Sequence, residues 1–227
     1  MPADTSASQV KQTFIDKFPD DSGELAHWLW SDIAHLHMNW SNYRRLFGTD
    51  QTTIDLLNAI ASSYFSMTER VLRQDTIMRI CRITDPAFSD RAHKQPNASL
   101  PQLLLQTSES LPANVVTELD TSLHSLDELS DPIRALRNKR FAHSDANEVL
   151  LRAEPLPGIS RLQVENVLDG IRQTFAIFEQ HYIRSTTAFE HVIHTNDARK
   201  LIFHLRQVSA YEDIEKIVLR GQFGGDG

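Results

Sequence analysis

The stretch ELAHWLWSDIAHLHMNWSNYRRLF, residues 24–47, decides the fold class. Leu25, Trp28, Leu29, Ile33, Leu36, Trp40 and Tyr43 recur at three- and four-residue steps. That spacing places them on one face of an α-helix. Asp21 or Ser22 stands ahead as an N-cap, and Gly48 follows as a C-cap. Trp28 and Trp40 are expected to be core anchors, with Trp30 pointing away toward a dimer or helix contact.

The same periodicity extends outward in both directions. Val10, Phe14, Ile15 and Phe18 predict a short helix over 9–18, broken by Pro19. Downstream, Thr49 or Asp50 can cap a helix carrying Leu56, Leu57, Ile60, Tyr64, Met67 and Val71, and its pattern continues through Ile77, Ile80 and Ile83. This is one long helix, or two with a kink near Gln74-Asp75, and Asp85-Pro86 ends it. Residues 85–98 are a polar loop. Ser99 opens a short helix that tolerates Pro101 in its first turn. A further helical region covers about 113–142, with Ser130-Asp131-Pro132 as a candidate interruption. Residues 144–160 are the least helical and suit a small hairpin or an extended arm. Ser160 caps a long helix to about Ile193, and Asn196-Asp197 starts the last one. The organisation expected is a flexible N-terminus or short helix over 1–22, a single helical domain over 23–220, and a Gly-rich tail over 221–227. The architecture is an all-α bundle of long antiparallel helices with a loop or arm after residue 143.

Composition fits a folded helical protein. Of 227 residues, 41% are hydrophobic and 23% charged, and the 8 glycines leave few tight turns. Cys81 is the single cysteine, which excludes an intrachain disulfide and suits a buried thiol. The sequence has no charged-then-apolar leader and no apolar run of membrane length, so a cytoplasmic location without membrane contact is expected. A net charge of -7 argues against broad, charge-driven binding to nucleic acid, though not against a small basic pocket.

Only one segment carries an evident chemistry: Arg137-Asn138-Lys139-Arg140-Phe141-Ala142-His143-Ser144-Asp145. Metal-free cleavage of RNA requires removing the 2′-hydroxyl proton, stabilising charge on the phosphate, and protonating the leaving 5′-oxygen. A histidine moves protons near neutral pH. An arginine offers a permanent charge in a planar fork that fits phosphate oxygens. An amide can hold an oxygen or orient a ring. His143, Arg137 and Asn138 supply these three groups. On a regular helix, positions six apart lie about 240° apart in rotation and about 9 Å apart in rise. The arginine and histidine therefore meet only if the helix is distorted near Phe141-Ala142, or if two copies of the motif face each other across a two-fold axis. Arg134, Arg137, Lys139 and Arg140 make a local basic cluster, suited to phosphate or simply to a helix C-terminus.

The motif and its frame resemble the HEPN superfamily, and in particular its abortive-infection branch, over roughly residues 24–205. The frame comprises two long helices ending in Arg82-Ile83-Thr84-Asp85-Pro86, a polar loop, a short helix, the Arg-Asn…His segment, a loop with Leu156-Pro157, and two more helices. The resemblance implies catalytic roles for Arg137 and His143 with Asn138 in support. From the charge around the motif, RNA contacts are expected at Arg134, Lys139 and Arg140, and also at Asp145, whose alternative role is to orient His143. The resemblance implies a metal-independent endoribonuclease that needs no cofactor and leaves a 2′,3′-cyclic phosphate. It also implies a homodimer with the site at the shared interface, and a toxin or phage-defence role that could include an antitoxin partner. Some family toxins carry a tyrosine two residues after the histidine, where a partner enzyme modifies it. Here that position is Asp145, so this control is not implied. Many family members are non-catalytic, so the alternative is a binding protein for RNA, a nucleotide or a protein partner.

Other candidates are weaker. His35 and His37 diverge by about 200° on a helix and cannot share a metal. His191 and His194, beside Glu190, have the spacing of a helical half-site, but a solvated face explains them better.

Overall fold

The computed structural model describes residues 7–89, 92, 95–138, 158–191 and 197–223. Seven α-helices are described: α1 (Ala7–Lys17), α2 (Ser22–Phe47), α3 (Gln51–Thr84), α4 (Leu100–Thr107), α5 (Ala113–Leu136), α6 (Arg161–Tyr182) and α7 (Ala198–Phe223). There is no β-strand among the described residues, so the all-α expectation holds. No helix among them is long and apolar enough to cross a membrane. The chain divides into two compact units. One comprises Met1–Met38 with Gln74–Val192, and the other Asn39–Arg73 with Ile193–Gly227.

The first unit is built on aromatic packing. Phe14 of α1, Phe175 of α6 and Phe189 are almost completely buried, with ring centroids 6.4 Å apart for Phe14–Phe175 and 6.1 Å for Phe175–Phe189. Gly23 lets α2 start against α1, because a Cβ there would lie 2.7 Å from the Phe14 carbonyl oxygen. Gly170 does the same between α6 and α5, where Leu126 lies against it. Ser122 and Thr174 join their hydroxyls across those two helices at 2.7 Å. The Ser99 side chain caps α4, and Ser160 forms a capping box with Gln163 at the start of α6.

The expectations about the tryptophans and about the end of α6 are corrected. Trp30, not Trp28, faces inward: its ring packs near Phe14 and Phe189, and its indole N–H donates to the Thr187 hydroxyl at 2.9 Å. Trp28 is 38% exposed and lies 5.2 Å from the Arg82 guanidinium, which covers its ring. The helix expected to reach Ile193 stops at Tyr182. The N–H groups of Ile183 and Arg184 both donate to the Glu179 carbonyl, and Arg184 turns left-handed at φ 59°. The returning chain then delivers Thr187, whose N–H and hydroxyl satisfy the Glu179 carboxylate at 2.8 and 2.6 Å. Burial raises the Glu179 pKa, against the opposing effect of those two bonds.

In α3 the break falls at Ala61 (φ -159°, ψ 68°), beside Ser62-Ser63, rather than near Gln74-Asp75. Nor does Pro132 end a helix, since α5 runs through it. In the second unit Leu46, Leu57, Phe65 and Ala198 form the core. Arg45 pairs with Asp197, and the Asp50 carboxylate caps α3 by accepting from Thr53 N–H at 2.7 Å. The expected hairpin or arm at 144–160 falls almost entirely outside the described residues.

His37 stacks on Phe189 at 5.8 Å, and burial lowers its pKa to about 4. An unfolded histidine, with its ordinary value near 6.5, takes up a proton first. Stability supplied by keeping this ring neutral is therefore full above about pH 6.5 and is lost as pH falls toward 4. Glu179 acts in the opposite sense, because a raised carboxyl pKa favours the folded state at low pH. The His37→Leu variant should thus lose about 2 kcal/mol less than the parent between pH 7 and 4.5, measured by urea unfolding at both values. Gly23→Ala should destabilise by about 2 kcal/mol and lower Tm by about 5 °C, because the new methyl meets main chain that cannot rotate away.

Candidate active site

Arg137 sits where α5 gives way to a π turn at Arg137-Asn138. Its N–H still donates to the Arg134 and Ile133 carbonyls, so the residue is anchored to the helix end. The wider turn changes the side-chain register at the start of the motif, a few residues before the expected distortion.

The guanidinium is fixed on two sides. Nη1 donates to both Asp85 oxygens at 3.0 and 2.7 Å, and Nε donates to Asn138 Oδ1 at 3.0 Å. Nη2 has no hydrogen-bond partner among the described residues. Arginine carries five N–H donors, so this fork keeps two donors for an anion after its orientation is set. The Arg137 and Asp85 side chains are 20% and 22% exposed, which leaves the pair reachable but only partly screened by water.

Asp85 is the site residue that sequence reasoning missed. It entered only as part of a helix stop. A signal existed: a carboxylate directly after a helix C-terminus lies against the negative end of the dipole, and needs a cation to settle there. The following loop is built to hold it. Asn97 Nδ2 donates to the Pro86 carbonyl at 2.7 Å, Asn97 N–H donates to Ala87 at 2.8 Å, and Phe88 and Pro96 form a single antiparallel bridge.

One turn earlier, Arg134 donates from Nη2 to the Asp127 carbonyl at 2.8 Å and to Asp127 Oδ1 at 2.6 Å, and from Nη1 to the Thr84 carbonyl at 3.5 Å. It therefore braces the ends of α3 and α5 beside Arg137. Cys81 lies behind them, where burial pushes its thiol up to about 11 and keeps it an inert packing group. Lys139, Arg140, His143 and Asp145 fall outside the described residues. Of the predicted catalytic set, the structure brings together Arg137 and Asn138.

No group of three or more His, Cys, Asp or Glu residues suited to a metal occurs among the described residues. His35 Nδ1 contacts the Ser31 carbonyl oxygen at 2.8 Å, whereas His37 packs on Phe189, so the two diverge as their spacing predicts. The His191 side chain and His194 lie outside the described set.

No curated protein and no solved structure matches the chain. A family model does: that of HEPN_AbiU2, described as AbiU2, matches residues 21–201. The match runs from the first turn of α2 into α7, and contains Asp85, Arg137, Asn138 and the whole histidine motif. The chain belongs to the AbiU2 family of HEPN proteins, a group related to abortive infection.

Proposed function

We propose that the protein is a metal-independent endoribonuclease acting in phage defence or as a toxin. The observation that carries this reading is the Arg137 guanidinium, oriented by Asp85 and Asn138, whose Nη2 has no partner among the described residues. Together with the family membership, it supports a phosphate clamp at the position where the motif requires one.

In the reaction, a base takes the ribose 2′-hydroxyl proton and the 2′-oxygen attacks the adjacent phosphorus. The bond to the 5′-oxygen breaks, and that oxygen leaves with a proton. The products are a 2′,3′-cyclic phosphate and a 5′-hydroxyl. His143 serves as proton carrier, and Arg137 stabilises the pentavalent phosphorane-like charge. Asn138 and Asp85 prevent the guanidinium from rotating, so its reorientation is not part of the barrier. Lys139 and Arg140 add local positive potential, Arg134, paired with Asp127, braces the clamp beside the substrate, and Asp145 contacts the substrate or orients the imidazole. A homodimer brings the two motifs into one composite cleft, and an antitoxin would act by covering it.

RNA cleavage in EDTA tests the reading. The parent protein should cleave, with a 2′,3′-cyclic terminus detected by mass spectrometry. Arg137→Ala and His143→Ala should each lower kcat by about 100-fold or more, His143→Ala at unchanged melting temperature and Arg137→Ala with a lowered one, because it leaves Asp85 unpaired. Asp85→Ala should fall by about tenfold, with most of the loss in kcat, because the clamp survives but wanders. If the parent and His143→Ala are equally inert on cellular RNA, the protein is a binding member of its family. A dimer should appear in light scattering, and a strict monomer would remove the composite cleft.

A further inference from the structure

The second unit carries a helix face that its small core leaves uncovered. Beyond the break at Ala61, α3 stays helical to its end. Phe65 and Leu72 turn inward to the core of this unit. Tyr64, Met67 and Val71 do not: they are 58%, 46% and 52% exposed. At about 100° per residue these three fall within an arc of about 60°, beside the buried line rather than on it. The Tyr64 ring meets the buried Phe65 ring edge-on, with centroids 5.3 Å apart, so the stripe is held against the core at its start.

The flank away from the core is cationic. Arg70 and Arg73 are exposed, and neither has a hydrogen bond or an ion pair among the described residues. This sets them apart from Arg79, Arg82, Arg134 and Arg137, each held by a carboxylate of the chain. An open groove runs from Met67 past Arg70 and Arg73 to Glu69 at its far margin, with Ser63 and Ser66 between. Glu69 stands about 160° round the helix from the centre of the apolar stripe.

These features select an occupant. An apolar stripe repeating at three and four residues on an exposed helix is matched by the same stripe on another helix. Tyr, Met and Arg are also the side chains that protein interfaces favour. A second copy of this face would bring no carboxylate to Arg70 or Arg73, because Glu69 lies on the opposite side of the helix. An RNA strand would find only Tyr64 to stack on, since Met67 and Val71 offer no flat face, and the chain carries a net charge of -7. The two unmatched cations beside the stripe call for acidic residues along one edge of the incoming helix.

We infer that Tyr64, Met67 and Val71 form a docking seam for an amphipathic helix of a partner protein, and that Arg70 and Arg73 pair with an acidic edge of that helix. The seam lies wholly in the second unit, so this docking is independent of the RNA chemistry proposed for the first.

The test is fluorescence anisotropy of the full-length protein with two labelled helical peptides of about three heptads. Both carry Leu at positions a and d; one has Glu at e and g, the other Lys. The Glu peptide should bind at least about tenfold more tightly than the Lys peptide. Met67→Gln with Val71→Gln should weaken it about tenfold, and Arg70→Glu with Arg73→Glu should reverse the preference. All four positions are exposed, so both variants should keep the parent's melting temperature. A parent that binds neither peptide, or both equally, overturns the inference. So does a glutamine variant that binds undiminished, or a preference that survives in the glutamate variant. An oligomer that light scattering shows to dissociate in the glutamine variant overturns it in favour of a second copy. A single-stranded RNA oligonucleotide that binds the parent in place of both peptides, and is lost in the glutamate variant, overturns it in favour of RNA.

Discussion

The ion pair between Asp85 and Arg137 fixes more of this molecule than any other contact at the candidate site. The carboxylate stands just past the end of α3, where the last helix carbonyls already carry partial negative charge. Left alone it would be repelled there. The guanidinium arriving from the end of α5 removes that conflict, and ties together two helix ends far apart in sequence. The arrangement recurs close by. Asp32 of α2, only 6% exposed, is held by Arg79 and Arg82 of α3, and Arg79 also reaches Asp75. Arg134 joins Asp127 to the Thr84 carbonyl. Each bond satisfies a polar group that would be costly to leave half-buried and unpaired.

Behind this polar side, aromatic packing supplies cohesion. Phe14, Phe175 and Phe189 are brought together from α1, α6 and the segment after α6. Trp30 and Glu179 converge on Thr187, so the return of the chain after α6 is fixed by hydrogen bonds as well as by burial. The other unit has its own smaller core around Leu57 and Phe65, and it exposes Tyr64, Met67 and Val71 along α3.

Helix type and most helix limits were legible because three- and four-residue apolar spacing is a local signal. The Ser160-to-Gln163 capping box and the N-caps at Asp50 and Ser99 are local too. Errors arose where the deciding partner is distant. On α2 the buried line includes Ala26 and the half-buried His37, which a search for large apolar residues passes over, and it leaves Trp28 to the rim. The end of α6 depends on Thr187 meeting Glu179, which the amphipathic run through Ile193 does not reveal. At the site, Arg137 and Asn138 stand out because their chemistry is unusual at that spacing. Asp85 does not, since its sequence neighbours explain it fully as a helix stop.

The arginines of this region share one further property. Arg79, Arg82, Arg134 and Arg137 are all already matched to carboxylates of their own chain. A polyanion drifting past meets neutralised pairs on an acidic molecule, with little counterion release to gain. Among these described residues, charge is largely cancelled before any ligand arrives. Under the proposed activity, a phosphodiester would be gripped through shape and a few spare donors rather than through bulk attraction. Such a protein could share a crowded compartment with abundant nucleic acid without adhering to most of it.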